Sequence, residues 1–165
     1  MEDAAARLGK AGAQVKEIVL PQEFSGLRTA ARETINNYER AAAMAHEWNT
    51  QRDAISERLR NNRIRDGLDC SYETYRDARD FLERQRLVFD DLMADYDVLL
   101  TPAAAGEAPL GLHATGNASF CAIWTSMHVP AVTLPLFEGP QGLPVGAQLI
   151  ARRNDDRRLF AAARW

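Results

Sequence analysis

The feature that most constrains this sequence is the stretch 96–150, in which short apolar runs alternate with glycine and proline turns. Three runs have the length and composition of strands: 97–101, 131–135 and 145–150. Pro102 ends the first run because proline has no N–H to donate to a β-ladder. Continuous apolar runs of this kind are typical of strands that are covered on both faces. The sequence therefore predicts a sheet in this part of the chain.

A helix is predicted between the first two runs. Four apolar residues recur there at helical spacing: Phe120, Ile123, Trp124 and Met127. Strand, helix and strand in this order predict a parallel, right-handed crossover. The second and third runs are separated only by Gly139, Pro140 and Gly142, which predicts a hairpin. The predicted fold class is therefore α/β, with a mixed β-sheet flanked by helices.

The residues before this stretch are predicted to be mainly helical. Residues 2–11 favour a helix that ends at Gly12, and residues 15–20 favour a strand that ends at Pro21. From Phe24 to Arg65 there is no proline, and apolar residues from Leu27 to Trp48 keep helical spacing. One long helix with a break near Asn49 and Thr50 is predicted.

Two further helices complete the prediction. Residues 66–69 are predicted to form a turn, and Ser71 is predicted to cap a helix whose apolar stripe continues to Tyr96. Residues 155–165 favour an amphipathic helix with Leu159 and Phe160 on its apolar face. Residues 1–165 are expected to form a single domain.

Charge and cysteine content exclude several classes of function. The chain has 20 basic and 23 acidic residues and a net charge of −3, which argues against a nucleic-acid or membrane-surface partner. No apolar run is long enough to span a bilayer, and the first residues are acidic, so a cytoplasmic location is expected. Cys70 and Cys121 lack metal-ligand spacing and are expected to be reduced thiols. We expect no metal and no cofactor.

Several separated blocks carry a resemblance to a known family. They read Tyr-Asp-Val-Leu-Leu-Thr-Pro (96–102), Thr-Gly-Asn (115–117), Trp-Thr (124–125), Val-Pro-Ala-Val-Thr-Leu-Pro (129–135) and Gly-Leu-Pro-Val-Gly-Ala-Gln-Leu-Ile (142–150). In this order and at this spacing they resemble the C-terminal part of amidase signature enzymes, whereas any single block would be a weak signal. Residues 72–91 resemble the long helix that precedes the first block. The resemblance implies that the chain corresponds to roughly the last third of such an enzyme.

The resemblance implies amide hydrolysis by a serine, a second serine in a cis peptide and a lysine. This chain contains no Ser-Ser and no Gly-Gly pair, and its only lysines are Lys10 and Lys16. Nothing near either lysine predicts the burial or the cationic neighbour that lowers the pKa of a catalytic lysine. Both are expected at the surface, and no residue of this chain is assigned a catalytic role.

A different nucleophile is the alternative. Ser126 and His128, together with His113 and Asp97, could supply a Ser-His-Asp set. A spacing of two at a helix end directs the serine and histidine side chains apart, so this triad is disfavoured. His128 is instead expected to end the helix in the left-handed conformation.

The resemblance also implies which residues line a substrate pocket. They come from the loop after the first strand and from the helix that follows: Thr101, Pro102, Asn117, Phe120, Trp124 and Thr125. The alternative is that Phe120 and Trp124 are plain core residues of an amphipathic helix.

Two functions remain open. The chain is either the C-terminal portion of an amidase, with an N-terminal amidase portion or a second copy as partner and a small-molecule amide as substrate, or a catalytically inactive stand-alone interaction or remnant protein.

Overall fold

The computed structural model describes residues 1–26 and 30–165, so Leu27, the first member of the predicted long-helix stripe, lies outside the described residues. The chain forms two compact units. One is made of Gln22–Gln85, and the other of Met1–Pro21 together with Arg86–Trp165. That residues 1–165 form a single domain stays a prediction.

The Gln22–Gln85 unit is helical. Its elements are α2 (Glu23–Gly26), α3 (Ala30–Ala43), α4 (Ala45–Thr50), a 3-10 turn (Arg52–Ala54), α5 (Glu57–Leu59), a π-helical turn (Arg60–Ile64), α6 (Arg65–Asp69) and the first part of α7 (Tyr72–Leu92). One long helix was therefore a wrong prediction, although the predicted break near Thr50 is confirmed, since α4 ends there. The chain folds back because Ala41, Ile55 and Ile64 bury one another in a common core.

Two local features of this unit bear on the predictions. The predicted turn at 66–69 is wrong, because these residues belong to α6. A Cβ at Gly67 would overlap the carbonyl of Asn37, so this glycine serves close packing of α6 on α3 rather than a turn. The predicted cap at Ser71 is confirmed, since its Oγ accepts the N–H of Thr74 at 3.1 Å.

The other unit contains the sheet. Its elements are α1 (Glu2–Lys10), the end of α7, a 3-10 turn (Met93–Asp95), β1 (Leu99–Pro102), α8 (Ser119–Met127), β2 (Ala131–Glu138), β3 (Pro144–Ile150) and α9 (Asp156–Arg164). The predicted positions of α1, α8 and the three strands are confirmed. The α/β class, with helices flanking a sheet, is confirmed as well.

The strand order is β1-β3-β2, and β3 is antiparallel to both neighbours. The predicted hairpin between β2 and β3 is confirmed. The predicted parallel crossover is confirmed only in the direction of β1 and β2, because β3 lies between them; both strand pairs of the described sheet are antiparallel, so the predicted mixed pairing is wrong there. These two strands run in the same direction only because each is antiparallel to the same central strand.

Different helices pack on the two faces of the sheet. Leu149 of β3 packs in a cluster with Ala151 and with Leu159 of α9, so α9 covers that face. Successive residues of a strand point to opposite faces, so Gln148 lies on the other face, where its side chain contacts Cys121 of α8.

Residues 15–20 were predicted to form a strand, and the described structure has none there. Val19 is 89% exposed, whereas Ile18 and Leu20 are half-buried, and none of these residues pairs with a strand of the described sheet. Among the described residues, no helix combines the length and the apolar character needed to cross a membrane.

Candidate functional site

The six predicted pocket residues lie in the sheet-containing unit, at the end of β1 and along α8. Asn117 sets the start of α8, since its Oδ1 accepts the N–H of Ser119 at 2.9 Å. This contact satisfies one of the unpaired N–H groups at the start of a helix. It also holds the Asn117 side chain, which is exposed to solvent, at the entrance of the helix.

Trp124 lies in the core of this unit. Its side chain is 5% exposed, and its ring packs at a tilt against that of Phe89, with 5.8 Å between the centroids. Phe89 is fully buried, so the pair fixes α8 against the end of α7. Packing accounts for the position of Trp124, while its Nε1 has no hydrogen-bond partner among the described residues.

The remaining pocket residues are more accessible. Thr101, Pro102 and Phe120 are half-buried, and Thr125 is exposed. The Thr125 hydroxyl donates to the Cys121 carbonyl at 3.1 Å, within its own helix. The geometry thus divides the predicted set into a packing residue, Trp124, and residues with surface free to meet another molecule.

The loop between β1 and α8 is anchored by a carboxylate. Glu107 accepts the N–H of Gln141, at 3.0 and 3.2 Å to its two oxygens, and that of Leu143 at 3.0 Å. Backbone N–H groups that converge on an ionised carboxylate make strong hydrogen bonds. The loop is therefore tied to the β2–β3 turn beside the candidate site. No local pattern predicts this contact, because Glu107 is far from the turn along the chain.

Ser126 and His128, from the disfavoured Ser-His-Asp set, make hydrogen bonds with other groups. Ser126 Oγ donates its proton to the Ala122 carbonyl at 2.9 Å, so that proton is not offered to an imidazole. His128 takes the left-handed conformation with φ of 55°, as predicted, and its Nε2 lies 2.9 Å from Nη2 of Arg86. Arg86 also donates from Nε to the Ser126 carbonyl at 2.9 Å. Through these two contacts Arg86 holds the C-terminal end of α8 in place.

One polar residue that contacts α8 is not among those predicted from the sequence. Gln148, in the central strand, places its Nε2 at 3.9 Å from the sulfur of Cys121. The thiol in turn donates to the Ala103 carbonyl at 3.3 Å. For Gln148, the one signal in the sequence is a polar residue inside the otherwise apolar run 145–150.

Two open cavities lie away from this site. In the sheet-containing unit, a mainly apolar groove of about 420 Å³ lies against α9 and is lined by Leu8, Ala13, Asp97, Val98, Leu149, Arg158, Ala161, Ala162 and Trp165. In the Gln22–Gln85 unit, a polar cavity of about 630 Å³ includes Glu33, Asn37, Asp66, Asp69 and Thr74. Across the described ranges, 1–26 and 30–165, no group of three or more histidine, cysteine or acidic residues could hold a metal ion.

Comparison with known proteins gives a consistent picture. A family model described as Amidase matches residues 1–160. A mitochondrial glutamyl-tRNA(Gln) amidotransferase subunit from Anopheles gambiae is 28% identical over 190 residues, covering 96% of this chain and 38% of that protein. The Xenopus laevis protein of the same name is 30% identical over 199 residues, with 96% of this chain and 36% of that protein covered.

Solved structures share the fold. One described as an amidase superposes with a TM-score of 0.86 at 24% identity, over 98% of this chain and 39% of that one. A 6-aminohexanoate cyclic dimer hydrolase complexed with substrate gives 0.74 at 20% identity, over 99% of this chain and 40% of that one. The chain thus spans well under half the length of the relatives it matches.

Proposed function

The chain belongs to the amidase family, and on that premise we propose that it acts as the C-terminal portion of an amidase signature hydrolase. The proposed reaction cleaves the C–N bond of a small-molecule carboxamide to give a carboxylate and ammonia. In this proposal the chain supplies scaffold and part of the substrate-pocket wall. The catalytic serines and lysine come from an N-terminal amidase portion.

One observation carries the proposal. The family match extends over 1–160, and within that range the loop after β1 and the helix α8 are both held in place. Glu107 fixes the loop, and the Phe89–Trp124 contact fixes the helix. A pocket wall needs surfaces that are rigid before substrate arrives, because positioning of the reacting groups lowers the barrier.

The positions of the two lysines support the proposal that the catalytic residues come from the N-terminal portion. Lys10 and Lys16 are both exposed, and Lys16 Nζ lies 6.0 Å from the centroid of the Tyr96 ring. A lysine becomes an effective general base where burial or a neighbouring cation favours its neutral form, and a position at the surface provides no such burial. Neither residue is proposed to take part in catalysis.

A partner surface is supported by exposed leucines. Leu110 and Leu112, in the loop between β1 and α8, are fully exposed, at 103% and 100%. Adjacent exposed apolar side chains mark surfaces that become buried on association. We propose that this loop meets the N-terminal amidase portion, or a second copy of the chain where that portion is lacking.

The pocket assignment is tested in an assembled enzyme, made by co-expressing the chain with the N-terminal portion of a related amidase. Asn117→Ala and Thr125→Ala should change the ratio of kcat/KM between an aliphatic and an aromatic amide, since selectivity reflects differential transition-state binding. Thr50→Ala, at an exposed helix end in the Gln22–Gln85 unit, is the matched control and should leave the ratio unchanged. If the pocket variants alter only the yield of assembled protein, α8 is scaffold and the pocket assignment fails.

A further inference from the structure

Residues 14–20 have the composition of a strand but pair with no strand. They read Gln-Val-Lys-Glu-Ile-Val-Leu, and three of the seven are β-branched, a residue type that is enriched in sheets. Pro21 follows and would end a ladder there, because it has no N–H to donate. Among the described residues, none makes a backbone hydrogen bond with this segment. Its backbone N–H and C=O groups are therefore open to pairing with another strand.

The exposure of the side chains in this segment alternates as it does in a strand. Ile18 and Leu20 are half-buried, whereas Glu17 and Val19 are exposed. Successive residues of a strand point to opposite faces, so this two-residue period indicates one covered face and one bare face. The bare face is partly apolar, since Val15 is 52% exposed and Val19 is 89% exposed. Burial of these apolar side chains by a partner would be favourable.

The segment is anchored at its N-terminal end. The N–H of Ala13 donates to the carbonyl of Leu8 at 3.0 Å, at the point where the chain leaves α1. Lys16 lies beside Tyr96, with its Nζ 6.0 Å from the ring centroid, which is within the range of a cation–π contact. A segment that is already positioned loses less conformational entropy when it binds a partner.

A second copy of the chain fits this edge poorly. Two identical antiparallel strands related by a two-fold axis pair in a register that places one residue opposite its own copy. If all seven residues pair, that residue is Glu17, and like charges directly opposite each other destabilise a sheet. A register centred on Lys16 has the same fault. A register centred on Ile18 pairs only 16–20 and places the charge of Lys16 opposite Leu20. The segment therefore suits a strand of different sequence.

We propose that residues 14–20 form an interaction surface that pairs, strand to strand, with an extended segment of the N-terminal amidase portion. The inference rests on the proposed function and deepens it by naming a surface through which the partner binds. This occupant is supported by the relatives, since the chain covers only 38% of the Anopheles gambiae protein and the rest of that protein has no counterpart here. In strand addition of this kind, main-chain hydrogen bonds provide the affinity.

The experiment measures hydrogen–deuterium exchange of the amides at 14–20, residue by residue, in the full chain alone and in complex with the N-terminal portion of a related amidase. In the chain alone these amides should exchange rapidly, because they have no backbone acceptor among the described residues. In the complex at least every second amide should exchange at least about 10-fold more slowly, since one edge of a strand presents alternate N–H groups. The amide of Ala13, which already donates to Leu8, is the internal reference and should be equally protected in both samples.

Proline variants separate backbone pairing from side-chain contacts. Ile18→Pro and Val19→Pro each remove one N–H, and neighbouring N–H groups point to opposite edges of a strand. At least one of the two variants should weaken the complex by about 10-fold or more. Ile18→Val and Val19→Thr are the matched controls, because they retain the N–H and the β-branched shape, and they should bind as the unmodified chain does. Titration of the N-terminal portion into each variant measures the affinities.

Unchanged exchange at 14–20 on complex formation, or no complex with the N-terminal portion, would overturn the inference. Protection in the chain alone that increases with its concentration, together with a dimer in sedimentation, would also overturn it, because a second copy would then occupy the edge. The exchange comparison uses the unmodified chain and so does not depend on the folding of any variant. Protection in a complex that hydrolyses no amide would support the strand pairing and count against the proposed function. Hydrolysis by a complex in which 14–20 is unprotected would do the reverse.

Discussion

Asp90, near the end of α7, accepts two hydrogen bonds at one carboxylate oxygen from Arg153, which follows β3. The Oδ2 atom lies 2.8 Å from Nε and 2.5 Å from Nη2 of Arg153. The side chains keep only 12% and 22% of their exposure. This contact ties the helix that packs on Trp124 to the end of the central strand.

Asp90→Ala should lower the free energy of unfolding by about 2 to 4 kcal/mol, because it removes the carboxylate that offsets the largely buried charge of Arg153. The partial exposure of Arg153 places the effect below that of a fully buried pair. Urea denaturation followed by circular dichroism measures it. Asp3→Ala, which removes an exposed ion pair with Arg7, is the control and should cost less than about 1 kcal/mol. Equal losses of unfolding free energy in the two variants would show that the contact between Asp90 and Arg153 does not stabilise the fold.

Trp124→Ala should destabilise the chain by about 3 to 5 kcal/mol, as expected when a buried aromatic side chain leaves a cavity against Phe89. Trp165→Ala is the matched control, since that ring is 67% exposed, and its denaturation midpoint should be nearly unchanged. The urea denaturation midpoints of the two variants provide the test. An unchanged midpoint for Trp124→Ala would mean that α8 is rotated relative to the structure.

Replacing either of two glycines by alanine should change the stability of the chain, in opposite directions for the two positions. Gly67→Ala places a Cβ against the Asn37 backbone and should destabilise by about 1 to 3 kcal/mol or more. Gly9→Ala, within α1, meets nothing within 4 Å and should stabilise by about 0.5 to 1 kcal/mol through helix propensity. Thermal melts of the two variants make the comparison. Stabilisation by both would contradict the close packing of α6 on α3.

Tyr75 should titrate above its ordinary range. Its hydroxyl donates to Glu39 at 2.8 Å, and this hydrogen bond is the main reason why its pKa is raised above 10.0. A tyrosine whose pKa is higher in the folded state stabilises the fold below the unfolded pKa and loses this contribution as pH rises through the folded pKa. Glu39→Gln should bring the tyrosinate absorbance transition to lower pH. A transition that stays in place would show that the hydrogen bond to Glu39 does not raise the pKa.

Local signals were enough to predict several elements. The spacing of Phe120, Ile123 and Trp124 located α8, and the expectation of a left-handed residue at its end is met by His128. Ser71 caps α7 as its chemistry predicts. In each case the interaction that decides the structure lies within a few residues of the chain.

Non-local pairing was harder to predict. β3 could lie at the outer edge of the sheet or between β1 and β2, and it takes the central position. No local sequence signal distinguishes these two arrangements, because the choice depends on which apolar faces pack together. The role of Gly67 was missed for the same reason, since its neighbour Asn37 is distant in sequence. Gln148 needed the position of Cys121, which only the folded chain supplies.

The central claim is tested most directly by ammonia release from a primary amide such as benzamide. Three samples are compared: the chain alone, the N-terminal portion of a related amidase alone, and the two co-expressed and purified as one complex. The account predicts that only the complex releases ammonia above background, because the nucleophile and the pocket wall come from different portions. Release by the chain alone that is lost in Ser126→Ala, or a stable complex with no release from any primary amide tested, would contradict it.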